Sequence, residues 1–208
     1  MKYNGFYFWL FQSPMRKVLT ERYSRNYAKR IMKKSKQVYQ ELMENADDIG
    51  DDNPMAYNEL FALAFVAPYI ASEKKIPPEI VQEMMRRSLY HVKWYFGMTD
   101  LNTDRGKAAN KKSITKYVTW YTPEREARYP TSFKVDFVGQ PHEEACYYRI
   151  TRCPICAYTK KLGVEELMTL FCELDHVMIT LQHGVLHRQH TIAEHGDYCD
   201  YYITGNKE

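Results

Sequence analysis

The side chains that could carry chemistry are concentrated in the second half of the chain. Residues 113–208 hold all five cysteines and six of the seven histidines. Cys153 and Cys156 form a Cys-x-x-Cys pair, which can bind zinc or cycle between two thiols and a disulfide. A structural zinc site usually needs a second such pair, and the sequence has none. A mixed metal site that adds Cys172, Cys199 or a histidine stays open.

Cys172, Asp175 and His176 have the spacing of neighbours on one side of a helix. A nucleophilic thiol needs a base or a cation that lowers its pKa, and the base needs a group that orients it. These residues supply a thiol, a carboxylate and an imidazole, so they are a candidate for nucleophilic catalysis. The alternative is two polar helix residues and a buried cysteine without a chemical role.

Arg188 lies in a mostly apolar segment that we predict to be a strand. An arginine in such a place must pair with an anion, and the carboxylate of a ligand is a natural partner. His183, His187 and His190 surround this arginine, and clustered histidines can bind metal. Regular strand alternation would place His187 and His190 on opposite faces, so exposed histidines without a metal are the alternative.

The composition is that of an ordinary globular protein. The chain has 208 residues, a formal net charge of +3, 45% hydrophobic residues and 26% charged residues. These values exclude wholesale disorder and a collagen-like fibre, and they disfavour a strongly basic nucleic-acid-binding protein. The basic run from Arg16 to Lys36 fits a solvated helix face, which we favour, or a face that binds nucleic acid or membrane.

The N-terminal apolar run is too short for a membrane span. Phe6 to Phe11 is six residues, whereas crossing a bilayer takes about 20. No small-residue cleavage site follows, so the run also fails as a signal peptide. We therefore predict a cytoplasmic protein, in which the cysteines are thiols, metal ligands or catalytic groups rather than a disulfide framework.

The first half of the chain, residues 1–112, is predicted to be a helical N-terminal region. Apolar residues at helical spacing and proline-containing starts predict three helices: residues 15–45, which Ser13-Pro14 would begin, 51–73 and 77–96. The polar segment 99–112 is predicted to be a linker or mobile loop.

The second half, residues 113–208, is predicted to be an α+β domain that forms one compact unit with the helices. Alternating β-branched and aromatic residues predict five strands: residues 114–122, 132–138, 145–151, 185–193 and 198–203. Turn residues at 139–142 predict a hairpin, and residues 162–182 predict an amphipathic helix. The predicted fold class is α+β: N-terminal helices precede a mainly antiparallel sheet of about five strands, with one long helix packed on it.

Four short motifs of the second half follow one another in the order of a known family. They are Arg-Cys-Pro at 152–154, Cys-x-x-Asp at 172–175, Arg-Gln-His-Thr-Ile at 188–192, and Gly196 followed by Cys199 and Asp200. With these motifs, about residues 130–205 resemble the L-2-amino-thiazoline-4-carboxylic acid hydrolase family. Each motif alone is unspecific, but the ordered set with its spacing is more specific.

The resemblance implies a hydrolase that opens the ring of 2-amino-thiazoline-4-carboxylate with water and gives N-carbamoyl-cysteine. A nucleophile adds to the amidine-like ring carbon, and the carbon–sulfur bond then breaks. Such chemistry needs an activated water or thiol, an acid for the departing sulfur and a cation for the carboxylate. The substrate class implied is a small cyclic amidine or amide that bears a carboxylate.

The same resemblance implies candidate roles for seven residues. The candidate catalytic residues are three cysteines, as nucleophile or thiol acid, and one carboxylate, as orienting group or base: Cys153, Cys172, Cys199 and Asp175. The candidate substrate-binding residues are Arg188, which would hold the carboxylate, His190 and Thr191. No metal ligand and no cofactor is implied.

Two other functions stay open. The main alternative is a non-catalytic module that binds a small molecule or zinc with the same cysteines. A weaker one is a nucleic-acid-associated protein that uses the basic helix. For the hydrolase we expect a small-molecule substrate and neither nucleic acid nor membrane as a partner, and the sequence is compatible with a homo-oligomer.

Overall fold

The structure, a computed structural model, describes residues 4–137 and 146–207. The chain divides into two compact units. The helical unit comprises Met1–Asp47 and Ala56–His91, and the sheet unit comprises Asp48–Met55 and Val92–Glu208. The predicted division of the chain at residue 112 stays a prediction.

The described part of the helical unit contains four helices: α1 (Phe6–Arg22), α2 (Arg25–Asn45), α3 (Ala56–Ala71) and α4 (Pro78–His91). The predicted helix start at Ser13-Pro14 is wrong, because α1 passes through a buried Pro14. The break comes later, at Ser24, whose side chain accepts the N–H of Tyr27 at 3.1 Å and caps α2. Such a cap satisfies an amide that has no partner inside the helix.

Aromatic side chains fill the core of the helical unit. Phe11 packs against Phe61 and Phe65, with ring centroids 5.3 Å away in each case. The buried hydroxyl of Tyr39 donates to the carbonyl of Leu60 at 3.2 Å. Burying each such ring stabilises the fold by about 1.5–3 kcal/mol.

The sheet unit begins with helices rather than with the first predicted strand. Its helices before the sheet are α5 (Lys93–Phe96), α6 (Asp104–Trp120) and α7 (Pro123–Arg128). The strand predicted at 114–122 and the linker predicted at 99–112 are therefore wrong. Thr103 caps α6 by accepting the N–H of Gly106 at 3.1 Å. Ile114 is buried, and Tyr117 and Val118, three and four residues further along, are partly buried. A 3.6-residue period therefore overrides the β-branched composition of this segment.

Four antiparallel strands follow, in the order β1-β2-β4-β3 within the residues that the structure describes. They are β1 (Lys134–Asp136), β2 (Cys146–Arg152), β3 (Gly184–His187) and β4 (Cys199–Gly205). The α+β class is confirmed, with four strands instead of about five. The pairing of β1 with β2 agrees with the predicted hairpin, while its turn at 139–142 lies outside the described residues.

The helix predicted at 162–182 is present as α9 (Met168–Leu181), with Glu165–Leu167 as a short 3-10 turn before it. A further helix that was not predicted, α8 (Pro154–Lys161), precedes them. Gly163, at φ +63°, allows the change of direction between α8 and α9. Helix α9 packs on β3 through its apolar face, so its polar residues face away from the sheet or lie at its border.

Strand β3 ends earlier than predicted, at His187, for a specific reason. The carboxylate of Asp200 accepts the N–H of Gln189 at 3.1 Å and the N–H of His190 at 2.6 Å. These amides would otherwise continue the ladder with β4, whose last pair is His187 with Tyr202. The regular strand consequently ends before Arg188.

Candidate active site

Asp175 and Arg188 form the centre of the site. Asp175 lies on α9, Arg188 lies directly after β3, and Nη2 of Arg188 is 2.8 Å from Oδ2 of Asp175. The side chain of Arg188 is only 5% exposed and that of Asp175 is 22% exposed. The anion that the sequence analysis required for Arg188 is therefore supplied by the chain itself.

Two backbone carbonyls also hold the guanidinium of Arg188. Its Nη1 donates to the carbonyl of Cys172 at 3.0 Å, and its Nε donates to the carbonyl of Asp200 at 3.3 Å. Guanidinium has five N–H donors, and the other two have no acceptor among residues 4–137 and 146–207. Arg188 also lines the cleft described below. Asp175 and Tyr201 raise the pKa of Arg188 against the effect of burial, so it stays charged.

Tyr201 contacts both members of the ion pair. Its hydroxyl donates to Oδ2 of Asp175 at 2.8 Å, and the guanidinium carbon of Arg188 lies 4.2 Å from the centre of its ring. Sequence analysis assigned no role to this residue. The only signal for it was strand alternation, which places Tyr201 on the same face of β4 as Cys199.

A cleft opens beside this pair, and its empty volume of about 450 Å³ includes the open solvent at its mouth. Its lining residues come from one face of α9 and from the segment after β3: Thr169, Cys172, Glu173, His176, Arg188, Gln189, Thr191 and Glu194. Cys172 and His176 were predicted to share one side of the helix with Asp175. They line the cleft together, whereas Asp175 is turned toward Arg188 and Tyr201.

The three candidate cysteines lie within electrostatic reach of one another. Burial raises the pKa of the Cys153 thiol against the lowering effect of a backbone hydrogen bond from Cys156, and the nearby thiols of Cys199 and Cys172 add to the rise. Burial and the charge of Asp175 raise the pKa of Cys172 to about 12. Burial also raises the pKa of Cys199, whose sulfur accepts the N–H of Ile192 at 3.3 Å. These thiols are therefore protonated at neutral pH.

The two remaining predicted residues have separate positions. Thr191 lines the cleft, and its hydroxyl donates to Oε2 of Glu194 at 2.9 Å. His190 is exposed and packs against the ring of Tyr198 at 5.1 Å, with its Nδ1 3.8 Å from Oδ1 of Asp200. Glu173 and Glu194, which sequence analysis did not single out, add two carboxylates to the cleft.

The histidines near Arg188 do not converge. His183, His187, His190 and His195 are all exposed. His187 lies against the ring of Tyr202 at 5.0 Å and is 3.1 Å from the hydroxyl of Thr204. In the described part of the chain, no group of three or more His, Cys, Asp or Glu side chains could hold a metal ion.

None of the described helices combines the length and the apolar character that a bilayer crossing requires. The cytoplasmic location stays a prediction.

The fold and the cleft define an α+β protein whose site contains a buried Asp–Arg pair beside a thiol. A family model described as L-2-amino-thiazoline-4-carboxylic acid hydrolase matches residues 57–203, which is more than half of the chain. The chain belongs to this family. No curated protein and no solved structure gives a significant match.

Proposed function

We propose that this protein is a hydrolase that opens a small cyclic amidine- or amide-like ring bearing a carboxylate. The model for this reaction is the hydrolysis of L-2-amino-thiazoline-4-carboxylate to N-carbamoyl-L-cysteine. Family membership supports the reaction type. The observation that carries the proposal is the Asp175–Arg188 pair beside a cleft that Cys172 and His176 line.

The reaction consumes one water, and nothing is oxidised or reduced. The oxygen of water bonds to the ring carbon between sulfur and nitrogen, and the carbon–nitrogen double bond becomes a single bond. The carbon–sulfur bond then breaks, and the carbon–oxygen double bond of the carbamoyl group forms. One proton goes to the ring nitrogen and one to the departing sulfur, so the enzyme must accept and donate protons at defined places.

Arg188 is suited to hold the carboxylate of the substrate. Its guanidinium lines the cleft and keeps two N–H donors without a protein acceptor in the described residues. Asp175 fixes the orientation of the guanidinium through the contact of its Oδ2 with Nη2. Paired donors in a fixed plane bind a carboxylate more tightly and more selectively than a single ammonium group does.

Electrostatics favour water as the nucleophile. At neutral pH a thiol whose pKa is about 12 is deprotonated in only about 1 molecule in 10⁵. Asp175 has a carboxylate oxygen, Oδ1, that can accept a proton from water, because both described donors bind Oδ2. His176 lines the cleft, and its imidazole is a side chain that can transfer a proton to a departing thiolate.

Turnover in H₂¹⁸O with product analysis by mass spectrometry tests the proposal. The purified protein should convert L-2-amino-thiazoline-4-carboxylate into N-carbamoyl-L-cysteine that carries one ¹⁸O. The variants Cys153→Ala, Cys172→Ala and Cys199→Ala should retain hydrolysis, as should the control Cys146→Ala. Loss of turnover in one folded cysteine variant would identify a thiol nucleophile instead.

The labelling assay together with calorimetry distinguishes the hydrolase from the binding module. A module that binds the compound without chemistry gives a calorimetric binding signal and no labelled product. If the protein neither binds nor turns over cyclic amidines and cyclic amides that bear a carboxylate, that result contradicts the proposed substrate class.

A further inference from the structure

Tyr201 connects the two charges of the site through one side chain. Its hydroxyl donates to the carboxylate of Asp175 at 2.8 Å, and its ring faces the guanidinium of Arg188 at 4.2 Å. Hydrogen bonding to an anion and cation–π contact are different interactions, and each restricts one partner. The three residues come from different elements, so the arrangement depends on how α9 packs on the sheet.

The hydroxyl of Tyr201 and the guanidinium of Arg188 bind the same carboxylate oxygen. Both donors lie 2.8 Å from Oδ2 of Asp175. The second oxygen, Oδ1, has no donor among the residues that the structure describes, and the side chain of Asp175 is 22% exposed. Two donors on one oxygen fix the plane of the carboxylate and leave the other oxygen as a proton acceptor.

The ring of Tyr201 is itself held in place by the sheet. Tyr201 on β4 pairs with Tyr148 on the neighbouring strand β2. The two rings stack with centroids 4.5 Å apart and an angle of 11° between their planes. Both tyrosines are 9% exposed. Arg188 and Tyr148 therefore lie against the ring of Tyr201, which cannot turn without disturbing the core.

We propose that Tyr201 is a positioning residue that sets the geometry of both Asp175 and Arg188 for hydrolysis. Its hydroxyl presents Oδ1 of Asp175 to the attacking water, and its ring orients the two available N–H groups of Arg188 toward the substrate carboxylate. This inference rests on the proposed function. Tyr201 acts through its neighbours and does not itself touch the reacting atoms.

Two substitutions separate the two contacts of Tyr201. Tyr201→Phe removes the hydroxyl and keeps the ring, so kcat should fall about tenfold or more with KM little changed. Tyr201→Leu also removes the ring face, so KM should rise about threefold or more in addition. Tyr202→Phe, which removes a hydroxyl from the next residue of β4, is the matched control.

Equal effects of Tyr201→Phe and Tyr202→Phe on kcat would overturn the positioning role. So would a Tyr201→Leu variant that is folded, by circular dichroism, and has the KM of Tyr201→Phe. Both outcomes require wild-type turnover, so the absence of turnover is a failure of the proposed function instead.

Crystal structures give a readout that does not depend on turnover. In Tyr201→Phe the carboxylate of Asp175 should rotate or show two orientations, while the ring at position 201 stays stacked on Tyr148. An unchanged, single orientation of Asp175 in that variant would overturn the positioning role even if the protein hydrolyses another ring.

Discussion

Asp175 and Arg188 form a largely buried ion pair, with Oδ2 and Nη2 2.8 Å apart. One member lies on α9 and the other follows β3, so the pair connects the helix to the sheet. Removal of one member of a buried ion pair destabilises the fold strongly, because it leaves an uncompensated charge in the interior. The same contact therefore supports the fold and the proposed chemistry.

Replacement of the acid should destabilise the protein. Asp175→Asn leaves the guanidinium of Arg188, which is 5% exposed, without its counter-charge. We expect the free energy of unfolding to fall by about 3 kcal/mol, measured by urea denaturation. Glu173→Gln, an exposed acid on the same helix, should change it by less than about 0.5 kcal/mol. A change of that small size for Asp175→Asn would show that the pair does not stabilise the fold.

Replacement of the cation should weaken substrate binding. Arg188→Lys keeps the charge and loses the planar pair of donors, so KM for a ring that bears a carboxylate should rise about tenfold or more. The methyl ester of the same substrate is the control, since it lacks the carboxylate charge. Its KM should already be high with the wild type and should change little in the variant. Equal changes in KM for the acid and the ester would show that Arg188 does not bind the carboxylate of the substrate.

The thiols should react slowly at neutral pH. Burial raises the pKa of Cys172 to about 12 and that of Cys146 to about 11. Only the thiolate reacts with iodoacetamide, so alkylation of Cys172 should increase about tenfold per pH unit from pH 7 to pH 10, without a plateau. Peptide mapping by mass spectrometry measures each cysteine separately. A plateau for Cys172 below pH 9 would show an activated thiolate and favour the thiol route.

A buried glutamate in the helical unit should make stability depend on pH. Burial, assisted by Asp47, raises the pKa of Glu59 on α3 to about 7. The folded state then binds more protons than the unfolded state between pH 4.5 and pH 7, so this group's contribution to stability is lost as pH rises through about 7. From pH 5 to pH 8 the free energy of unfolding should fall by about 2–3 kcal/mol because of this residue.

The variant Glu59→Gln tests that assignment. It should remove most of the loss of stability between pH 5 and pH 8, measured by urea denaturation at both values. Glu79→Gln, an exposed acid of α4 in the same unit, should leave the loss intact. An undiminished loss in Glu59→Gln would assign the pH dependence to other groups.

Sequence reasoning predicted the fold class and most elements, and it failed where a side chain changes the path of the backbone. The strand predicted at 185–193 ends at His187 because the carboxylate of Asp200 accepts the next amides. The residues of α6 are β-branched and aromatic near its end, yet their burial follows helical spacing. Neither tertiary effect is visible in local composition.

The candidate site was predicted in its residue types and only partly in its geometry. Because Arg188 lies in an apolar segment, the sequence predicts that it pairs with an anion. Asp175 was predicted to be a catalytic residue because of its helical spacing from Cys172. Their mutual contact could not be predicted, because it depends on the packing of α9 against the sheet. The role of Tyr201 depends in addition on the register of β2 and β4, which a single sequence does not specify.

The most direct test of the proposed ring opening is the rate of N-carbamoyl-L-cysteine formation by the wild type and by Asp175→Asn, both verified as folded by circular dichroism. The wild type should turn over L-2-amino-thiazoline-4-carboxylate or a related ring that bears a carboxylate. Asp175→Asn should be slower by about 10²–10⁴-fold, the usual contribution of a general base. Equal rates for the two proteins would contradict the assignment of the Asp175–Arg188 pair as the catalytic centre.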